Sequence, residues 1–126
     1  MKKPALILLL AFAVCAGTFA QTAEDFMKSG DEHFLKGDYD KAIADFETVL
    51  YNNQNSPFAQ QAKEGLIQAQ NAKLVANENF INSGFAHYEK KEYDQAIADF
   101  EAALKLFSNN ARAKEGLEKA KKARGN

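Results

Sequence analysis

A nine-residue segment occurs twice in this chain with one substitution, and this duplication narrows the possible folds more than composition does. Residues 39–47 read "YDKAIADFE" and residues 93–101 read "YDQAIADFE". At the same offset of 54 residues, 15 of the 27 positions in 24–50 are identical to those in 78–104. Catalytic sites are assembled once from residues with different roles, so a near-verbatim copy indicates repeated architecture.

A second match defines the length of the repeated unit. The segment "AKEGL" occupies residues 62–66 and returns at 113–117, an offset of 51 residues. Apolar and small residues recur at spacings of three and four in each part of the unit, as at Ala42, Phe46 and Leu50, which is typical of amphipathic helices. The short polar segments "KGDYD" and "KKEYD" predict tight turns between antiparallel helices. We therefore predict an all-α fold of two helix-turn-helix hairpins with additional capping helices.

Two glycines fall inside predicted helices, where glycine costs about 1 kcal/mol relative to alanine. A close approach by the neighbouring helix is the expected compensation, with a small alanine facing the glycine and a phenylalanine filling the adjoining space. The predicted packing residues are Gly30, Ala42 and Phe46 in the first copy and Gly84, Ala96 and Phe100 in the second.

The segment between the copies contains no proline after its first residue, Pro57. Its apolar and small residues keep one helical phase, which predicts a single long helix over about residues 57–90. A break within the asparagine-rich residues 71–79 is the alternative.

The repeat resembles the tetratricopeptide repeat family. A glycine, a "GDY" or "KEY" turn, an "AI" pair and an aromatic residue follow one another at the family's spacing over residues 23–56 and 77–110, within copies of about 23–73 and 77–124. The chain departs from the family pattern at Ser29 and Ser83, where leucine is usual, and in its repeat length, which is 54 residues rather than 34.

The resemblance implies a protein-binding groove lined by the first helix of each hairpin, open to a peptide or a helix of a partner. Phe34 and Tyr88 are equally compatible with a place in the core. The basic clamp with which some family members hold a carboxylate is not reproduced, because the aligned positions carry no cation. The implied groove residues are Met27, Asp31, Phe34 and Leu35 in the first copy and Ile81, Phe85, Tyr88 and Glu89 in the second.

No pattern in the sequence indicates catalysis or a cofactor. The acidic pairs Asp45 with Glu47 and Asp99 with Glu101 are two residues apart, so they point to different sides of a helix. His33 and His87 lack the further ligands that a metal site needs. Phosphate-binding loops and nucleophile motifs are absent from the sequence. We therefore expect no enzyme activity, no cofactor and no metal.

The first 20 residues have the layout of a secretory signal peptide: two lysines, a short apolar run and small residues before Gln21. Cys15 lies inside this leader, and lipidation there is the alternative that fits the surrounding residues less well. The apolar run is shorter than a membrane-spanning helix requires, so we expect no span in the mature chain of residues 21–126. A retained, uncleaved anchor is the alternative to cleavage. The sequence predicts a periplasmic or secreted protein.

The sequence leaves three hypotheses for function. Removing the leader leaves 14 Lys and Arg against 17 Asp and Glu, a net charge of −3, which does not favour nucleic acid. The first hypothesis is an exported adaptor that binds a protein partner through its helical groove. The second is a self-assembling structural protein of the cell envelope, joined through the acidic first half and the basic last helix. A subunit that binds a small apolar ligand ranks third, because the sequence offers no convergent polar set.

If the leader is removed, the exported protein begins at Gln21. Intact-mass measurement of the protein recovered outside the cytoplasm tests this directly. A recovered chain that retains residues 1–20, or that carries a lipid on Cys15, would contradict cleavage after Ala20.

Overall fold

The computed structural model describes residues 11–52 and 54–125, and these residues form five α-helices and no strand. The prediction of an all-α fold is therefore confirmed. The chain divides into two compact units, of which unit 1 ends at Gln70 and unit 2 begins at Asn71. The helices are α1 (Ala11–Leu35), α2 (Tyr39–Asn52), α3 (Ala59–Glu89), α4 (Tyr93–Leu106) and α5 (Ala111–Arg124).

The predicted long central helix is α3, which runs without interruption through the unit boundary. The alternative of a break within residues 71–79 is wrong. Asparagine lowers helix stability by less than about 0.7 kcal/mol per residue, which does not outweigh the tertiary contacts of this segment. Asn77 makes one of these contacts, since its side chain is buried and donates a hydrogen bond to the Ala103 carbonyl at 2.8 Å.

The predicted signal peptide is described only in part. Its residues 1–10 and the side chain of Cys15 lie outside the described residues, while residues 11–20 form the beginning of α1. The expected cleavage point after Ala20 thus falls within that helix. Across the described helices, none is both long and apolar enough to cross a membrane.

The turns that follow α1 and α3 have the same geometry. In the first, the Gly37 amide donates to the Phe34 carbonyl at 3.0 Å and the Asp38 amide donates to the His33 carbonyl at 2.9 Å, with Gly37 at a φ of 77°. This pair of hydrogen bonds ends a helix and satisfies its last carbonyls. In the second turn Lys91 has a φ of 64°, a conformation that costs a residue with a side chain about 1 kcal/mol.

The core of unit 1 is centred on the Phe46 ring of α2, which is fully buried. A Cβ atom placed on Gly30 of α1 would lie 2.6 Å from this ring, and one placed on Gly65 of α3 would lie 2.8 Å from it. The ring therefore contacts the backbone of a helix on both sides. The buried apolar residues around it are Met27, Ala42, Val49, Ala62 and Ala69.

Unit 2 repeats this arrangement around Phe100 of α4. A Cβ atom on Gly84 of α3 would lie 2.7 Å from the Phe100 ring, and Gly116 of α5 faces the same ring from the other side. The expected alanine of this hairpin, Ala96, is fully buried, but the atoms nearest to the glycine belong to the phenylalanine ring. The ring, rather than the alanine, is what requires glycine at this position.

Unit 2 also contains a buried polar connection. The Asn110 side chain donates to the Asn77 side-chain oxygen at 2.9 Å and accepts from the Ala113 amide at 3.1 Å, which caps the start of α5. The position equivalent to Asn77 in unit 1 is Ala23, which is buried without a polar side chain. The two units therefore share an apolar skeleton and differ in polar contacts.

Gly84→Ala should lower the free energy of unfolding by about 1–2 kcal/mol, although alanine favours a helix, because its methyl group would overlap the Phe100 ring. Urea unfolding followed by circular dichroism measures this change. In a Phe100→Leu background the same substitution should be neutral or stabilising, since the smaller side chain leaves room for the methyl group. Equal effects in both backgrounds would contradict the proposed overlap.

Candidate functional site

Each unit contains a serine, a histidine and an aspartate that approach one another between two helices. In unit 1 the Ser29 hydroxyl donates to Asp45 Oδ2 at 2.7 Å, and His33 Nδ1 lies 2.9 Å from the same oxygen. Ser29 and His33 come from one face of α1, four residues apart, and Asp45 comes from α2. The cluster therefore connects the two helices of the hairpin.

The second unit keeps this cluster with one rearrangement. The Ser83 hydroxyl donates to Asp99 Oδ2 at 2.6 Å, but His87 Nε2 is 3.7 Å from that oxygen. His87 Nδ1 instead lies 2.6 Å from Glu92 Oε2 in the turn before α4. The serine-to-aspartate bond is thus common to both units.

These clusters do not have the geometry of a nucleophilic triad. In such a triad the serine donates to the histidine, and the opposite nitrogen of the histidine bonds the carboxylate. Here His33 Nδ1 faces both groups, at 2.9 Å from Asp45 Oδ2 and 3.5 Å from the Ser29 hydroxyl, and that hydroxyl donates to Asp45, so the imidazole does not stand between the serine and the carboxylate. The arrangement is suited to joining helices.

The sequence alone does not predict this cluster. In the sequence, Ser29 and Ser83 stand out only as departures from the leucine that the family usually has, and His33 and His87 only as residues without a ligand set. The signal was present, because all three residue types recur at the offset of 54. Gly65 and Gly116, which recur within "AKEGL", were also missed as partners of the phenylalanine rings.

The predicted groove residues of unit 1 divide between core and surface. Met27 is 4% exposed and belongs to the core, and Phe34 packs against that core and meets Tyr39 edge to face at 6.1 Å. Asp31 is exposed, and Leu35 is 83% exposed. Only the last two present their side chains to solvent.

Of the predicted groove residues of unit 2, one is buried, two are half-buried and one is exposed. Ile81 is fully buried, and Phe85 packs edge to face on Phe100 with ring centroids 4.9 Å apart. Tyr88 is half-buried against the same core, while Glu89 is exposed. The structure therefore places Ile81, like Met27, away from any surface that a partner reaches, since its methyl groups are needed to fill the core.

Unit 1 has an open cleft between α1 and the beginning of α3, which we name the α1–α3 cleft. Its volume is about 710 Å³, and its lining carries four carboxylates and one ammonium, a net charge of −3. Within the part of the chain that the structure describes, no ion pair or hydrogen bond engages these five charged side chains. The lining residues are Glu24, Asp25, Met27, Lys28, Asp31, Glu32, Leu35, Phe58 and Gln61.

The corresponding place in unit 2 is crossed by Arg112 of α5. Its guanidinium donates to Glu78 Oε2 at 3.1 Å and to Asn82 Oδ1 at 3.2 Å, and it lies 5.6 Å from the centre of the Phe85 ring. By the sequence offset of 51, Gln61 is the unit 1 residue that corresponds to Arg112.

Four of the six basic side chains of α5 form ion pairs within their own unit. Arg124 lies 3.0 Å from Asp94. Lys119 lies 2.6 Å from Glu115, and their hydrogen bond and mutual attraction lower the pKa of Glu115 and raise the pKa of Lys119. Lys121 also pairs with a glutamate of α4, at 3.2 Å. Self-association through this helix stays a prediction.

Paired helices repeated along the chain, each pair closed by a third helix, define a helical-repeat protein. Sequence models of the tetratricopeptide repeat match residues 26–56 and residues 78–110. These two segments belong to the tetratricopeptide repeat family. Repeats of this family generally mediate binding between proteins.

The chain is also similar to individual proteins, at 30% sequence identity or less. The chain is 30% identical to heat shock protein STI1 of Saccharomyces cerevisiae, over 77% of this chain and 19% of that protein, so it spans about a fifth of that relative's length. Among solved structures, the Arabidopsis OM64 TPR domain is similar over 82% of this chain and 98% of that domain, with 20% identity and a TM-score of 0.37.

Asp45→Ala should lower the free energy of unfolding by about 1–2 kcal/mol, because Ser29 and His33 lose their shared acceptor. Urea unfolding monitored by circular dichroism measures the effect. Glu47→Ala is the matched control, since Glu47 is an exposed carboxylate on the same helix, and it should change stability by less than about 0.5 kcal/mol. Indistinguishable effects of the two substitutions would show that the cluster does not hold the hairpin.

Proposed function

We propose that this protein is a non-catalytic adaptor, exported from the cytoplasm, that binds a partner protein through the α1–α3 cleft of unit 1. The observation that carries the proposal is the cleft itself, whose charged side chains have no partner among the described residues and which includes the 83% exposed Leu35. Export rests on the leader-like sequence of residues 1–20.

The character of the lining favours a protein over a small molecule. Pockets for small apolar ligands enclose most of the ligand and bury their apolar walls. Here the apolar side chain of Leu35 is almost fully exposed, and charged side chains form most of the lining. Apolar contacts within a charged, solvent-accessible rim are the usual composition of a protein interface.

The two repeats contribute unequally to this function. Unit 1 leaves Leu35 exposed and Phe58 half-buried at the cleft, and both are available as apolar contacts. In unit 2 the aromatic residue Phe85 is packed on Phe100, and Arg112 covers it. Binding therefore uses unit 1, and unit 2 contributes folded structure.

A photo-crosslinking amino acid at position 35 should give a discrete covalent adduct with a partner in cells, whereas the same amino acid at position 51 should not. Tyr51 is the matched control because it is 85% exposed in the same unit and lies outside the cleft. Mass spectrometry identifies the adducts. Identical adducts from both positions, or none from position 35, would contradict binding at the cleft.

A further inference from the structure

The two units differ in what surrounds one equivalent carboxylate, and this difference indicates what the α1–α3 cleft binds. Glu78 of unit 2 is the copy of Glu24 in unit 1, since both occupy the same position of the repeat. Beside Glu78 stands Arg112, at 3.1 Å. Beside Glu24 the corresponding residue is Gln61, which has no charge.

Unit 2 therefore neutralises this carboxylate with its own cation. Besides this ion pair, the Arg112 guanidinium donates a hydrogen bond to Asn82 and lies over the Phe85 ring. A guanidinium bound by a carboxylate and an aromatic face is a recurrent mode of arginine recognition. The contact shows that a guanidinium fits beside this carboxylate in unit 2.

Unit 1 keeps the acidic group and lacks Arg112, and it has Lys28 at the position of Asn82 and Asp31 at the position of Phe85. Its cleft adds Asp25, Asp31 and Glu32 to Glu24, and its single ammonium, Lys28, leaves the net charge at −3. No two of these carboxylates stand three or four residues apart on the helix, whereas Lys28 has that spacing from each of them, so the attraction for a cationic ligand comes from the net charge of the lining. Leu35 and Phe58 add apolar surface to the same lining.

We propose that the α1–α3 cleft binds a cationic segment of the partner protein, in which arginine or lysine alternates with apolar residues. This inference rests on the proposed function and specifies the partner's chemistry. A cation of the partner lies beside Glu24 as Arg112 lies beside Glu78, and an apolar residue of the partner contacts Leu35 and Phe58. The charge preference is opposite to that of a basic groove that holds a carboxylate.

The test uses the full chain and two short fluorescein-labelled peptides, one of arginine, leucine and alanine and the other with glutamate in place of arginine. Fluorescence anisotropy measures binding at low salt and at about 0.5 M salt. The arginine peptide should bind at least about tenfold more tightly than the glutamate peptide, and its affinity should fall as salt screens the charges. Equal binding of the two peptides, or no binding of the arginine peptide, overturns the proposal.

Matched charge reversals distinguish binding at the cleft from attraction to the overall charge of the protein. Asp31→Lys should weaken binding of the arginine peptide about tenfold, whereas Glu47→Lys should change it by less than about twofold. Both residues are exposed carboxylates on helices of unit 1, and the two variants have the same net charge. Equal weakening by both variants would show attraction to the whole protein and would overturn a specific site.

Gln61→Arg tests the comparison between the units. The new arginine should reach Glu24 as Arg112 reaches Glu78, so it should also weaken binding of the arginine peptide about tenfold. An unchanged affinity in this variant would contradict the assigned position of the ligand cation. Circular dichroism of each variant verifies that the helices are retained.

Light scattering on the same samples tests whether a second copy of the chain, rather than a different partner, occupies the α1–α3 cleft. A doubled mass at low salt, lost in the Asp31→Lys variant and accompanied by no peptide binding, overturns the proposal in favour of self-association. The proposed function and the cationic ligand can be distinguished. If position 35 crosslinks to a partner that lacks a cationic segment, the adaptor function stands and the cationic ligand is wrong.

Discussion

The structure depends on the contact between a phenylalanine ring and helix backbones on either side of it. Phe46 and Phe100 each lie between two glycines of neighbouring helices, at distances that exclude a methyl group. Two glycines within helices cost about 2 kcal/mol together, and burial of an aromatic ring contributes about 1.5–3 kcal/mol, so the contact offsets most or all of that cost. It also fixes three helices at once, because the ring touches the helix before its own and the helix after it.

The third helix explains why the repeat is longer than is usual for its family. Gly65 and Gly116 belong to the additional segment of each copy, and each supplies one side of the phenylalanine site. A hairpin of two helices alone would leave one face of the ring in water. In unit 1 this role falls to the beginning of α3, and in unit 2 it falls to α5.

Polar contacts distinguish the two copies once the apolar skeleton is in place. Both keep the bond from serine to aspartate across the hairpin, and no buried side-chain nitrogen or oxygen in the described residues lacks a partner. Unit 2 adds the pair Asn77 and Asn110 and the ion pair of Arg112. Because Arg112 lies on the surface, it covers in unit 2 the position that corresponds to the α1–α3 cleft, which stays open and acidic in unit 1.

The sequence by itself determined the all-α class and the two hairpins and favoured an unbroken helix α3 over a break within residues 71–79, because helical periodicity, turn residues and the lack of proline after Pro57 are local properties. It also identified the phenylalanines and the first glycine of each pair, since these recur at a fixed offset. Only the tertiary structure decided that the ring, rather than Ala42 or Ala96, meets the glycine, and that Met27 and Ile81 face the core while Asp31 and Leu35 face solvent. The physical reason is that periodicity marks the side of a helix that is apolar, whereas the depth of each residue depends on how closely the neighbouring helices approach.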